Sequence, residues 1–375
     1  MKLIGALLTT LGTAALALGQ VWTLTSADFT QIDGTLDGIT PAAVELRNSK
    51  ETEILWPQIV TLEQRSLAAT PQPESLVLYT RDGQRLIGAP VRLESEKLTW
   101  RSAWGEFQIA LDEVSAWSPA NTPPPAASAN EDTVILPNGD VLRGIIEGSG
   151  EGLSVSQGTS KTEVKWESAR GVSLAKIGDE PPAIAGLRIR LADGSVCLAK
   201  SLQLVDGELK AERASGAPLK LPLRIVQSIQ NEAGRARFMA WLKPAELEYT
   251  PFTRFSEETP ARWERLDHVV VDGRTYRDVI ELRPKTIYMV ASPVDGKFHL
   301  QYACGKAGQF TDMDLKVSVG KSVVAEVKGI RSAKPGLAIE TAVKKGELVR
   351  LEVDYGQQLD VQDFLWLLDA AFIAR

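Results

Sequence analysis

An aromatic ring and two amides stand close together near the carboxyl end of the sequence. Tyr355, Gln357 and Gln358 occupy the loop between the last two predicted strands. An aromatic face can stack on the C–H groups of a sugar ring while amides pair with its hydroxyls, and loops on a rigid scaffold commonly carry such sites. Trp263, in a polar stretch, is a further candidate platform. The pattern indicates a saccharide site, and a plain hairpin loop is the alternative that the residues alone favour.

Four aspartates in the same region could ligate calcium. They are Asp354, Asp360, Asp363 and Asp369, of which Asp360 and Asp363 are the candidate ligands. Hard oxygen donors on turns after strands suit this ion, although the spacing is not that of an EF-hand. Because Asp is common in turns, turn capping is the favoured alternative. The sequence therefore predicts no required cofactor, with calcium as the one candidate.

The chain offers little from which to build covalent or metal-dependent catalysis. Its two His and two Cys are far apart, which leaves almost nothing for a zinc site or a His-based triad. The nucleophile-elbow, phosphate-loop and dinucleotide motifs are absent from the sequence. Carboxylates for glycoside hydrolysis pair in space, and the 48 acidic residues single out no such pair. We predict a protein that is not an enzyme.

The alternation of apolar and polar residues along the predicted strands indicates where the His and Cys side chains point. Cys197 occupies a slot that is apolar in related segments, and Cys304 is in phase with an apolar face, so both are predicted to point inward. Because they belong to different predicted domains, we do not expect a disulfide between them. His299 is out of phase with Phe298 and Leu300 and is predicted to face away from the core.

Composition and charge exclude several classes of protein. The 375 residues are 44% hydrophobic and 24% charged, as in ordinary globular proteins, and carry a formal net charge of -6 at pH 7. An acidic chain does not present the basic surface that sequence-independent nucleic-acid binding needs. The sequence predicts no nucleic-acid partner.

The first 19 residues have the features of a secretory signal peptide. Lys2 is followed by an uncharged apolar run from 3 to 18, and Ala17 and Gly19 supply the small residues that a signal peptidase reads. The run is shorter than the roughly 20 residues of a spanning helix, so a membrane anchor is the weaker alternative. We expect cleavage before Gln20, no membrane span afterwards, and a periplasmic or extracellular mature protein.

A repeat of about 55 residues runs through the first two thirds of the chain. Leu76–Gly88, Thr133–Gly144 and Leu187–Ala199 each contain a strand, an Asx-Gly turn, and a second strand that ends in a small residue. The segment Val21–Gly34 is an earlier copy, with Phe29 in place of the turn glycine. The turn positions 29, 83, 139 and 194 are 54, 56 and 55 residues apart. Further short runs of alternating apolar and polar residues complete each copy. Together these predicted strands are expected to form a small curled sheet.

These copies resemble SH3-like or Sm-like β-barrels in pattern, without the RNA-binding signature of the Sm family. The predicted organisation is a signal peptide at 1–19, β repeats at 20–65, 76–118, 133–176 and 187–230, a Pro/Ala-rich linker at 119–132, and a β-sandwich at 240–375. Because the longest linker separates the second and third repeats, we expect those two to pack loosely.

The last third of the chain opens with Lys243-Pro244 and closes with the pattern VDYG, DVQD, W and DA. It thereby resembles the NPCBM family of carbohydrate-binding modules, which are appended to secreted proteins of planctomycete-type bacteria. The resemblance begins at Lys243-Pro244 and continues through Tyr249-Thr250-Pro251-Phe252 and Val271-Asp272-Gly273. Its most specific part is the closing pattern VDYG, DVQD, W and DA between Val353 and Ala370. The resemblance implies a jelly-roll, discoidin-like β-sandwich that binds sugars without catalysis and carries a structural calcium in some relatives.

One segment departs from that family. Where the family usually has Gly-rich residues and a His, this chain has Asp278-Val279-Ile280-Glu281-Leu282-Arg283-Pro284. If the family His belongs to a ligand site, that site is altered or lost here. Two functions therefore remain open: an exported binding protein for a carbohydrate or cell-surface glycan at the cell envelope, or a scaffold that uses the β repeats, through exposed strand edges, for protein partners.

Overall fold

The structure, a computed structural model, describes residues 20–64, 67, 75–125, 128, 130–150, 152–175, 186–213, 218–250, 264–305, 311–357 and 363–375. In these ranges the chain forms 32 β-strands, five short 3-10 turns and no α-helix. The prediction of an all-β protein is confirmed. No helix in the described ranges is long and apolar enough to cross a membrane. The predicted signal peptide lies outside the described residues.

The strands up to β21 fall into four units of similar plan. The first unit contains β1 (Val21–Ser26), β2 (Gln31–Ile39), β3 (Ala43–Arg47), β4 (Glu51–Leu55), a 3-10 turn (Trp56–Gln58) and β5 (Ile59–Gln64). The second contains β6 (Leu76–Thr80), β7 (Arg85–Glu94), β8 (Lys97–Ser102), β9 (Gly105–Ala110), a 3-10 turn (Leu111–Glu113) and β10 (Val114–Pro119). The third contains β11 (Asp132–Ile135), β12 (Val141–Gly148), β13 (Gly152–Gln157), β14 (Ser160–Lys165), a 3-10 turn (Trp166–Ser168) and β15 (Gly171–Ser173). The fourth contains β16 (Leu187–Leu191), β17 (Val196–Ala199), β18 (Ser201–Val205), β19 (Glu208–Glu212), β20 (Leu219–Pro222), a 3-10 turn (Leu223–Ile225) and β21 (Val226–Asn231).

Each unit is an antiparallel meander whose last strand returns to pair with its first. In the first unit β1 lies between β2 and β5, and β6, β11 and β16 occupy the same position in the other three. The tight turn after each first strand uses a positive φ, at +88° for Gly83, +90° for Gly139 and +92° for Gly194. Phe29, which stands in place of the turn glycine, adopts the same conformation with φ +62°.

The small residue five positions after each turn marks a close approach between backbones. A Cβ built on the glycine in the first three units would collide with a carbonyl oxygen of the third strand. The distances are 2.9 Å for Gly34 to Arg47 O, 2.1 Å for Gly88 to Arg101 O and 2.3 Å for Gly144 to Ser156 O. In the fourth unit the residue is Ala199, and the second strand is interrupted directly after it, between β17 and β18.

The four units do not close into separate barrels, which corrects the barrel part of the SH3-like or Sm-like prediction. Closure would require the last strand of a unit to pair with an edge strand of the same unit. Among the described residues that edge of the last strand pairs with another unit: β5 pairs with β21, and β10 pairs with β15. The sheets therefore curl without closing, and unpaired strand edges are covered by neighbouring units.

This pairing also contradicts the expected loose packing of the second and third units. Trp117 of β10 lies opposite Val172 of β15, and a Cβ on Gly148 of β12 would lie 1.8 Å from Leu93 O of β7. Buried apolar side chains from each of the four units, between Trp22 and Ile229, form one continuous hydrophobic cluster. A Pro- and Ala-rich linker predicts a separation along the chain, but it does not limit contact in space.

The strands after residue 235 form two antiparallel sheets. They are β22 (Ala236–Phe238), β23 (Glu246–Tyr249), β24 (Glu264–Val271), β25 (Arg274–Leu282), β26 (Thr286–Ala291), β27 (Gly296–Cys304), β28 (Met313–Val319), β29 (Ser322–Ile330), β30 (Ile339–Val343), β31 (Leu348–Tyr355) and β32 (Leu365–Ala374), with a 3-10 turn at Met239–Trp241. One sheet has the order β24-β25-β32-β27-β30 with β22 beside β32, and the other has the order β23-β26-β31-β28-β29. Apolar side chains from both sheets, including Tyr288, Phe298 and Phe372, form the core between them. The β-sandwich prediction is confirmed.

The first unit packs directly on this sandwich through the Phe29 turn. The Phe29 ring stacks on the His299 ring at 4.4 Å between centroids and meets Phe238 edge-on at 6.3 Å. His299 points away from the sandwich core, as predicted, but it is buried because the first unit covers the outer face of its sheet. This contact also explains why a phenylalanine occupies a turn position that is glycine in the other three units.

The structure places both cysteines in the interior and does not join them. Cys197 lies in the cluster of the four units and Cys304 in the core of the sandwich, and both are free thiols. The predictions of inward orientation and of no disulfide are confirmed. Burial raises the pKa of the Cys197 thiol, and it raises the pKa of Cys304 to about 12.

We therefore expect neither thiol to react with a thiol reagent in the folded protein at pH 8. The reactive species is the thiolate, which burial disfavours at both positions while the fold also blocks access. The measurement is absorbance after addition of Ellman's reagent, first to the native protein and then in guanidinium chloride. We expect no equivalent of label in the first case and two in the second. Rapid reaction of one equivalent in native protein would contradict the prediction.

Candidate functional site

One end of the sandwich gathers the ends of several strands. The last residue of β31, Tyr355, lies opposite Met313, the first residue of β28, and Met313 lies opposite Ile330 at the end of β29. The end of β23, at Tyr249, and the start of β32, at Leu365, lie at the same end. Loop residues that follow these strands are therefore held side by side on two rigid sheets. We call the group formed by Tyr249, Arg283, Asp312, Arg331, Tyr355, Gln357, Asp363 and Phe364 the loop cluster.

The buried carboxylate of Asp312 organises the loop cluster. Its Oδ2 atom accepts hydrogen bonds from the backbone N–H of Gln357, at 2.9 Å, and from Nη2 of Arg331, at 2.9 Å. The backbone N–H of Asp312 donates to Oδ2 of Asp363, at 3.2 Å, and its carbonyl accepts from Gly356, at 2.8 Å. These hydrogen bonds fix the loop after β31 against the start of β28.

Gly356 is required for this arrangement. A Cβ at this position would lie 2.3 Å from Oδ1 of Asp312, well inside van der Waals contact. The glycine allows the chain to pass directly over the buried carboxylate, so that Gln357 can present its N–H to it. The side chain of Gln357 itself is exposed.

Tyr355 stands at the rim of the loop cluster with its ring half-buried. Burial is the main cause that raises the pKa of its hydroxyl, and the nearby Tyr249 and Asp363 raise it further, while Arg283 opposes them. The hydroxyl therefore remains protonated at neutral pH and can donate as well as accept a hydrogen bond. A half-exposed phenol beside charged groups offers one apolar face and one polar edge to a ligand.

Two further contacts border the loop cluster. The guanidinium of Arg283 lies 5.1 Å above the Phe364 ring, within the range of a cation–π contact. Nζ of Lys285 lies 2.7 Å from Oδ1 of Asp354 in an exposed ion pair. The rim therefore carries both signs of charge around an aromatic centre, which suits a neutral polar ligand better than a highly charged one.

The structure brings together three of the predicted site residues. Tyr355, Gln357 and Asp363 all belong to the loop cluster. Trp263, Gln358 and Asp360 lie outside the described residues. Their placement does not test ligand binding, so the binding role of all six residues stays a prediction.

The aspartates proposed as calcium ligands do not form one group. Asp369 lies on β32, paired with Arg274, and Asp354 is paired with Lys285. No group of three or more His, Cys, Asp or Glu side chains that could hold a metal ion occurs in the described part of the chain. Calcium takes six to eight oxygen ligands, and the adjacent carboxylates of Asp312 and Asp363 receive N–H donors here. The described residues alone therefore do not fit a calcium site.

Five members of the loop cluster were not predicted as site residues: Tyr249, Arg283, Asp312, Arg331 and Phe364. Asp312 alternates in phase with the polar side of the strand that follows it, so its pattern is that of any strand-flanking aspartate. Arg331 lies 19 residues further along the chain and is joined to it only by the pairing of β28 with β29. No signal in the sequence connects the two.

No family model matches the chain, and no curated protein matches it in sequence. Among solved structures, the CBM51 of a Clostridium perfringens GH95, in complex with methyl-galactose, is 10% identical and has a TM-score of 0.30, covering 36% of this chain and 98% of that one. The tandem CBM51 modules of Sp3GH98, a family 98 glycoside hydrolase from Streptococcus pneumoniae, are 9% identical with a TM-score of 0.31, covering 94% and 88%. The CBM51-2 and INT domains of Clostridium perfringens ZmpB, in complex with GlcNAc, are 13% identical with a TM-score of 0.31, covering 50% and 40%. These structural neighbours are carbohydrate-binding modules, but at such identities and TM-scores the likeness assigns no ligand to this chain.

Proposed function

We propose that the protein is an exported, non-enzymatic binding protein whose carboxy-terminal sandwich binds a glycan through the loop cluster. The observation that carries the proposal is the placement of Tyr355. Its half-buried ring stands beside Tyr249 and Arg283, next to the carboxylates of Asp312 and Asp363. This is the combination of an apolar face and hydroxyl-pairing groups that a sugar ring needs.

The amino-terminal features support export as part of the same proposal. The pattern of residues 1–19 is that of a cleaved signal peptide, which would place the mature protein in the periplasm or outside the cell. The resemblance of the last third to the NPCBM family supports the same function.

The segment that departs from that family supports a division of roles along β25. Asp278, at φ +51°, is buried, pairs with Arg265 and accepts a hydrogen bond from Nε2 of Gln230 in the fourth unit at 2.6 Å. The far end of the same segment supplies Arg283 to the loop cluster. We infer that the altered residues at the start of the segment serve the contact with the repeats, whereas its end serves the ligand site.

The state of the nucleophilic groups supports a protein without catalysis. Both thiols are buried, and the imidazole of His299 is covered by Phe29 while its Nδ1 lies 2.9 Å from Oε1 of Glu340. Burial is the main cause that lowers the pKa of His299. A covered, neutral imidazole with no adjacent nucleophile is a structural group.

A scaffold function is the second candidate, and exposed apolar side chains on the third unit favour it. Val141 and Ile145 of β12 are 48% and 67% exposed. Exposed apolar residues on a strand can anchor a protein partner, although single exposed residues are common on protein surfaces. A scaffold whose sandwich has lost its ligand would bind a protein through the units and show no affinity for any glycan.

The test is a glycan-array screen of the chain from Gln20 to Arg375, followed by calorimetry on the best glycan. We expect Tyr355→Ala to weaken binding at least about tenfold, which corresponds to about 1.4 kcal/mol, because the stacking face is removed. Tyr355→Phe keeps that face and should retain most of the affinity. Phe107→Ala, which removes a half-buried ring of the second unit, is the matched control and should leave binding unchanged.

Two outcomes of this screen would redirect the proposal. If folded protein binds no arrayed glycan, the scaffold becomes the better interpretation, and the search moves to protein partners. If binding is lost when a chelator is added, Asp360 and Asp363 become candidate calcium ligands. Equal weakening by Tyr355→Ala and Phe107→Ala would place the site outside the loop cluster.

A further inference from the structure

A concave surface lies where the second and fourth units meet the sandwich. It has a volume of about 690 Å³ and contains four arginines, Arg85, Arg188, Arg190 and Arg265. We call it the arginine cleft. Tyr79 and Ser115 also line it. Such a concentration of cations is unexpected in a chain whose formal net charge is -6.

Strand register places these side chains on one face. Arg190 of β16 lies opposite Val196 of β17, Val196 lies opposite Arg85 of β7, and Arg85 lies opposite Tyr79 of β6. Residues that are directly opposite in neighbouring antiparallel strands point to the same side of a sheet. Arg188 precedes Arg190 by two positions on β16 and therefore shares that side. The cleft is built by the sheet itself, across four strands.

In the arginine cleft the guanidinium of Arg85 has a neutral partner, whereas two others form ion pairs. Arg188 forms an ion pair with Glu232, and Arg265 forms one with Asp278. Neither acidic residue lines the cleft, and no other Asp or Glu does so among the described residues. Nη1 of Arg85 donates to the carbonyl of Gly194 at 3.1 Å, a neutral partner. The charge of Arg85 is therefore available to an oxyanion that enters the cleft beside it.

We propose that the arginine cleft binds an acidic saccharide, through a carboxylate or sulfate group held by the guanidiniums. Arginine is the side chain best suited to oxyanions because its planar fork donates two parallel hydrogen bonds. The phenol ring of Tyr79 and the hydroxyl of Ser115 supply an apolar surface and a further hydrogen-bonding group, which suit a sugar ring better than a bare inorganic anion. The volume is that of a site for a small ligand. This binding does not depend on the loop cluster.

The test is calorimetry with the chain from Gln20 to Arg375 and five probes. Two are acidic saccharides: a tetragalacturonate, which carries carboxylates, and a heparin tetrasaccharide, which carries sulfates. Maltotetraose controls for a neutral saccharide, a tetraglutamate peptide for an acidic peptide, and inorganic phosphate for a bare anion. We expect at least one acidic saccharide to bind, more weakly as the salt concentration is raised, and the three control probes to bind at least tenfold more weakly or not at all.

Variants locate the site. Arg85→Gln should weaken binding of the acidic saccharide at least tenfold. Arg85→Lys keeps the charge but loses the planar guanidinium, so its affinity should lie between that of Arg85→Gln and that of the parent chain. Arg92→Gln removes one positive charge from the same strand, outside the cleft, and should leave binding unchanged. Tyr355→Ala should also leave it unchanged, which separates this site from the loop cluster.

Several results would overturn the inference. They are no binding of either acidic saccharide by folded protein, equal weakening by Arg85→Gln and Arg92→Gln, and tetraglutamate or phosphate binding as tightly as the saccharides. If Arg85→Gln fails to fold, as judged by circular dichroism, Arg85→Lys carries the same comparison with Arg92→Gln.

Discussion

Replacement of Gly88 by alanine is expected to lower the free energy of unfolding by about 3 kcal/mol. The added Cβ would lie 2.1 Å from the carbonyl oxygen of Arg101 and 2.5 Å from Nε1 of Trp100. The first contact is with backbone, and the second is with a fully buried indole, so neither neighbour can move away cheaply. The strand β7 would have to separate from β8 at the centre of the second unit.

A matched control separates this collision from the general effect of a glycine replacement. Gly207 lies in a turn at φ +76° with open space around its Cα, so Gly207→Ala tests backbone conformation alone, at about 1–2 kcal/mol. The measurement is chemical denaturation followed by Trp fluorescence. Gly88→Ala should lose clearly more stability than Gly207→Ala. Equal losses would mean that the second unit can open between β7 and β8, and that the small residue is not required for close packing.

The repeat was predictable because local chemistry defines it. A positive φ at the turn and a close backbone approach five residues later restrict the residue types at both positions, and those restrictions recur along the sequence at intervals near 55 residues. Strand alternation likewise predicted the sandwich and the inward orientation of Cys197 and Cys304. These features depend on residues that are close in sequence or in phase along one strand.

The contacts between units could not be predicted in the same way. Pairing of β10 with β15 and of β5 with β21 depends on which strand edges remain open after each unit folds, and no residue type marks an open edge. The burial of His299 has the same origin, since alternation shows that the side chain leaves the sandwich core but cannot show that Phe29 covers it. The linker at 119–132 shows how two units are connected along the chain, whereas the packing of those units depends on which of their surfaces fit together.

The loop cluster was predictable in part for a related reason. Tyr355 and Gln357 are adjacent in sequence and could be recognised as a group, whereas Asp312 joins them only because β28 pairs with β31. Its carboxylate then shapes the loop that presents them. A site assembled from several strand ends is therefore visible in the sequence only where two of its members share one loop.

The contact between the sandwich and the first unit contains a carboxylate whose protonation should control stability. Asp369 of β32 is buried at the point where β32 carries one extra residue against β27, and its φ is +49°. Its Oδ2 accepts a hydrogen bond from Nη2 of Arg274 at 2.5 Å. Burial raises the pKa of Asp369 to about 6, with Arg274 opposing the rise and Glu63 of the first unit adding to it.

The raised pKa makes Asp369 a group that stabilises the folded protein more as the pH falls. In the unfolded chain its pKa returns to the ordinary value of 3.8. Between that value and about 6 the folded state binds a proton that the unfolded state does not, so the free energy of unfolding rises as the pH is lowered through this interval. The difference between 3.8 and about 6 corresponds to about 3 kcal/mol at 1.36 kcal/mol for each pH unit.

Asp369→Asn is therefore expected to be more stable than the parent chain at pH 7.5, by up to about 3 kcal/mol, and equally stable at pH 4. Asparagine has the shape of the protonated acid and tolerates a positive φ, and a buried ion pair often contributes less than the cost of desolvating its charges. The measurement is the unfolding temperature of both proteins between pH 4 and pH 7.5, with the exposed Asp354→Asn as the control for a change of charge. If Asp369→Asn is instead the less stable protein at pH 7.5, the attraction to Arg274 outweighs the cost of burial. In that case the contact between the first unit and the sandwich is held by the ion pair rather than weakened by it.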